Sequence, residues 1–133
     1  MSRYFTPEEA AALLPRVREL VRDIRDSRVH LAEDQAQLAT WHIKLRGNGN
    51  ARHDEITALQ DAITTATEHV SDVLDEIRSL GILLKDPDAG LVDFPALRQD
   101  REVYLCWRLG EAQLAWWHEV ADGFVGRRPL TDF

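Results

Sequence analysis

Between residues 56 and 80 the apolar side chains Ile56, Leu59, Ile63, Ala66, Val70, Val73, Ile77 and Leu80 alternate spacings of three and four. A seam of that period belongs to a long helix, and it can be buried only against a second helix of similar pitch. The chain supplies one. Val17, Ile24, Leu31, Leu38 and Leu45 recur every seven residues. Gly47-Asn48-Gly49-Asn50 stands between the two runs and breaks the helix. So short a turn forces the helices to run antiparallel as neighbours. The spacing therefore predicts a helical hairpin over residues 7–80, with helices at about 7–46 and 52–80.

The first helix has a clear start. Thr6 can cap a free backbone N–H, Pro7 suits the first helical position, and Glu9 completes a capping box. Phe5, just before the cap, can staple onto the first turns. Pro15 should kink the helix, because its ring meets the carbonyl of Ala11. The companion seam positions begin apolar at Leu14 and Val21, then turn polar at Arg28, Gln35 and His42. Two helices alone would leave both flanks wet and Trp41 exposed. The expectation is therefore a homo-oligomer in which two hairpins form a four-helix arrangement. With the turn centred on Asn48 and Gly49, His42 should meet Glu55, Lys44 should meet His53, and Arg28 should meet His69.

After Gly81 the period changes from helical to two. Residues 82–86 read as a strand, Pro87-Asp88-Ala89-Gly90 as a turn, and residues 91–96 and 102–109 as two more strands. Placing Asp93 opposite Cys106 gives a consistent pair of faces. Val92, Phe94, Val103, Leu105, Trp107 and Leu109 share the core side, and Leu91, Asp93, Tyr104, Cys106 and Arg108 the other. Residues 111–122 read as a short last helix with Leu114, Trp117 and Ala121 as its apolar stripe and Gly123 as its cap. The fold class is thus α+β in one domain, 1–133: a hairpin, a three-stranded antiparallel meander and a short C-terminal helix.

Composition narrows the setting. A net charge of −7 repels phosphate backbones, which argues against nucleic acid as a partner. No apolar run is long enough to span a membrane. Cys106 is the single cysteine, which fits a reducing compartment, and the N-terminus has no apolar signal region. A cytoplasmic protein is expected.

The opening Y-F-T-P-E-E-A-A-A-L-L-P, the segment G-I-L-L-K-D-P-D-A-G-L-V-D-F-P-A-L-R-Q-D-R-E-V-Y-L-C-W-R-L-G-E, and the later W-W-H-E and G-F-V-G-R-R-P carry a family likeness. On these segments the chain resembles the bacterial domain of unknown function 2203 family. The resemblance implies the fold and a bacterial cytoplasmic setting, and it implies no activity.

Chemistry-bearing residues concentrate in the last third. On a helix over 111–122, Glu111, His118 and Asp122 would line one stripe and could bind a divalent transition metal. The mixed sheet face could add Asp93, Arg108 and Cys106. Asp93 and Arg108 could instead pair as ions, and with Trp116 they form a candidate ligand site. Nucleophilic catalysis has little support: Cys106 lies mid-strand between Leu105 and Trp107, and no G-x-S-x-G or phosphate-binding glycine loop is present. The leading expectation is an oligomeric interaction or scaffold protein without catalysis. The alternative is a metal- or small-ligand-binding protein, possibly an enzyme, using the carboxylate and histidine groups of the C-terminal module.

Overall fold

A computed structural model of the chain describes residues 3–44 and 53–133. The helices are α1 (Pro7–Lys44) and α2 (His53–Ser79). Five strands follow: β1 (Leu83–Asp86), β2 (Leu91–Arg98), β3 (Arg101–Arg108), β4 (Trp116–Glu119) and β5 (Arg128–Pro129). They form one antiparallel sheet in chain order. The reversal at 47–50, and Leu45 of the seam, lie outside the described residues, as does the side chain of Lys44 expected to meet His53.

The capping box closes as its residues dictate. Thr6 N–H donates to Glu9 Oε1 at 2.9 Å, and Glu9 N–H donates to Thr6 Oγ1 at 3.1 Å. The helix continues through Pro15, which is exposed. Phe5 is buried and packs edge-on against Phe94 with ring centroids 5.5 Å apart, while its N–H donates to the Pro95 carbonyl. The start of α1 is thereby fixed to β2 as well as capped.

The core lies between the hairpin base and one sheet face. Val17, Val21 and Ile24 of α1 and Val73 and Ile77 of α2 are buried with Val92, Phe94, Val103, Leu105, Trp107 and Trp117. The predicted core face is therefore present, with Leu109 at its half-buried edge. Gly90 has φ +71, and its missing Cβ lets Leu109 and Val21 close over it.

Two expectations are corrected. The sheet has five strands rather than three, and residues 111–122 are not a helix. Trp116–Glu119 form β4 on the free edge of β3, and the only helical geometry further on is in short 3₁₀ turns. The reason is competition. Trp116 and Trp117 favour a pleated surface, and an open β3 edge offers a ladder of hydrogen bonds. Gly110 at φ +106 opens the segment, and the five helix formers Glu111-Ala112-Gln113-Leu114-Ala115 are too short a run to hold a helix before the tryptophans. In the hairpin the offset also differs. His69 meets Asp23, not Arg28, more than a helical turn away from the expected partner.

Candidate functional site

The face of the sheet opposite the core carries the chemistry. Its register is set by a two-residue turn, Gln99-Asp100, both at positive φ (52° and 63°), the geometry of a tight hairpin with the strands' own twist. That turn places Asp93 opposite Cys106, as the alternation of apolar residues predicts. On its other side β3 pairs Tyr104 with His118 and Cys106 with Trp116. Asp93, Tyr104, Cys106, Trp116 and His118 thus share one face, contributed by three adjacent strands.

Asp93 and His118 reach over β3 to each other. His118 Nε2 lies 3.0 Å from Asp93 Oδ1, and both side chains are only 3% exposed. The other ring nitrogen, Nδ1, donates to the Glu119 carbonyl at 2.8 Å. Cys106 is fully buried beside them. Burial pushes its thiol up to about 12, and the charge of Asp93 and a hydrogen bond to it add to the rise. Tyr104 stands edge-on to the imidazole with centroids 5.6 Å apart. Its hydroxyl is raised first by burial and then by Glu102 and Asp93. One donor atom each from Asp93, Cys106 and His118 lies within 4.8 Å of the others, so the trio offers oxygen, sulfur and nitrogen to a single point.

Beside the trio Arg127 closes on Glu111. Its Nη1 and Nη2 donate to Glu111 Oε2 and Oε1 at 2.8 and 2.6 Å, and Nη2 also donates to the Cys106 carbonyl at 3.3 Å. The guanidinium lies 4.4 Å from the Phe124 ring centroid and 5.3 Å from that of Trp116. Burial raises the Glu111 carboxyl, but hydrogen bonds from Arg127 and the Arg108 N–H outweigh it and leave it below the usual carboxylate range.

The residues singled out in the sequence therefore separate. Glu111 belongs to Arg127, His118 to Asp93, and the Asp122 side chain packs where a Cβ on Gly126 would stand. Without the helix, these three share no stripe. Among the described residues, the acidic, thiol and imidazole groups that do converge are Asp93, Cys106 and His118. Arg108 is exposed and flanks Phe124 at 5.9 Å, so it does not pair with buried Asp93. Trp116 is half-buried beneath Arg127. Sequence reasoning placed Asp93 and Cys106 together and misplaced His118. No alternation marks Trp116-Trp117-His118-Glu119 as a strand, and the strand preference of the two tryptophans is its one local signal.

Fold and site together define an α+β protein whose helical hairpin stands on a five-stranded sheet with a buried Asp–Cys–His trio on its far face. The chain belongs to the family described as "Uncharacterized conserved protein (DUF2203)", whose profile matches residues 3–130. Comparison with curated proteins and with solved structures gives no match. No helix among the described residues is long and apolar enough to cross a membrane.

Proposed function

We propose that the protein is a self-associating scaffold whose hairpin pairs with that of a second copy. One observation carries the reading. The heptad seam runs on through the outer hairpin, yet no described side chain of α1 beyond Ile24, and none of α2 before Val73, is buried. Leu31, Leu38, Ile56, Leu59, Ile63, Ala66 and Val70 are only half-covered by the facing helix. Val29 and Ile43 stand 52% and 70% exposed. A two-helix arm cannot close its own core, and four helices can.

The flank of the arm supports a second copy as the occupant. A groove runs along it, lined near the tip by Gln37, Trp41, Glu55, Ala58 and Leu59, and nearer the base by Asp26, Ser27, His30, Asp61, Thr65, Ala66 and His69. Ala62 lies in both stretches. Small side chains let a second helix approach closely. The groove carries Asp26 and Asp61 beside His30 and His69, so a two-fold axis can set carboxylate acceptors of one copy against imidazole donors of the other.

Sedimentation velocity at micromolar concentration tests this. The expected species has twice the 15.2 kDa chain mass. Ala62 is exposed, so Ala62→Arg should leave the helical circular dichroism unchanged and shift the protein to the mass of one chain. Wild-type protein sedimenting as one chain would overturn the reading.

A further inference from the structure

Two acceptors face each other across β3. A carbonyl oxygen only accepts, so the 2.8 Å contact between His118 Nδ1 and the Glu119 carbonyl fixes the ring hydrogen on Nδ1. A neutral imidazole then turns its Nε2 lone pair toward Asp93 Oδ1, 3.0 Å away. A lone pair and a carboxylate oxygen repel at that distance. A positive species has to lie between them, either a second proton or a metal ion.

Cys106 decides what kind of ion the place suits. Its donor atom joins those of Asp93 and His118 within 4.8 Å. Ligands at the corners of a tetrahedron, about 2.0–2.3 Å from a zinc-like ion, stand roughly 3.3–3.8 Å apart, so small side-chain shifts bring this trio to that geometry. The bond from Nδ1 to a backbone carbonyl is the outer contact that orients a metal-binding imidazole. We propose that Asp93, Cys106 and His118 bind one divalent ion of the zinc class. Sulfur with nitrogen selects such ions over magnesium and calcium, which take oxygen.

Charge balance favours binding. Ligated to the ion, the trio supplies a thiolate, a carboxylate and a neutral imidazole, two negative charges against the two of the ion. A site whose side chains are 0–3% exposed cannot tolerate a net charge, and this one acquires none. The proposal stands independently of the hairpin's self-association.

The test uses the full chain without a histidine tag, stripped by chelator, unfolded, and refolded with Co2+ alone. One equivalent should bind, with tetrahedral ligand-field bands, a thiolate-to-cobalt charge-transfer band, proton release from the thiol and a raised Tm. Zn2+ should displace the cobalt. Cys106→Ala should lose the charge-transfer band and bind at least tenfold more weakly. Wild-type protein that shows only the octahedral spectrum of the aqueous ion overturns the proposal, as does an unchanged spectrum in Cys106→Ala. Should that variant fail to fold, the charge-transfer band and proton release of the wild type decide alone.

Discussion

His118 and Asp93 sit on strands that never pair, and their side chains meet over the strand between them, 3.0 Å apart and nearly sealed from solvent. The contact ties β2 to β4 across β3. Removing one member leaves the other buried without its partner. Under chelator, Asp93→Ala should lose about 3–5 kcal/mol in urea denaturation, the usual result of breaking a buried pair. Replacing both residues by leucine should cost less than either single change, because no polar group is then stranded. A double variant less stable than both singles contradicts this account.

Glu111 and Arg127 make the structure sensitive to acid. The Glu111 carboxyl lies below its usual range in the folded chain, so the folded state holds the charged form more tightly than the unfolded chain does. Its contribution is complete above the unfolded value of about 4.3 and is lost as the pH falls through the lower folded value. Glu111→Gln should reduce stability at pH 7 by about 2 kcal/mol, in the range for hydrogen bonds to charged groups. The gap in Tm between variant and wild type should hold from pH 7 to about 5 and close below about 4. A gap that stays constant into acid would assign the loss to shape and not to charge.

Gly90 and Gly110 provide a matched pair. Both have positive φ, at 71° and 106°, so an alanine at either strains the backbone. At Gly90 a Cβ would also stand 2.5 Å from Leu109 Cβ and 3.0 Å from Val21 Cγ1, whereas nothing lies within 4 Å at Gly110. Gly90→Ala should therefore be the more destabilising, by about 1–3 kcal/mol beyond Gly110→Ala, the usual range for overpacking. Equal denaturation midpoints would mean that the turn moves away from α1 freely.

What the sequence reveals here depends on how local each cause is. The Thr6–Glu9 cap, the seam of α2 and the facing of Asp93 and Cys106 follow from neighbours within a few residues or from strict alternation, and all are present. Residues 111–122 contain enough Ala, Gln and Leu to read as helix, and their fate is decided by a distant fact, the open edge of β3. Moving His118 from helix to strand carries it from Glu111 and Asp122 to Asp93. The candidate site was therefore half visible: its carboxylate and thiol could be paired from period alone, and its imidazole could not.

The hairpin should also be uneven in its dynamics. Its base is anchored by Val17, Val21, Ile24, Val73 and Ile77, all buried, and by Arg16 bonded to Glu76. Its outer half has only half-covered seam residues and exposed pairs such as Asp23–His69 near the boundary. Local opening follows burial, so amides of residues 31–44 and 53–70 should exchange faster than those of 14–24 and 73–79 in dilute protein. If a second copy covers the arm, protection of the outer amides alone should rise with protein concentration, since association stabilises what it buries. Hydrogen exchange followed by mass spectrometry over a hundredfold range of concentration measures both effects. Uniform protection along both helices, unchanged by dilution, would mean that the arm closes its core without help.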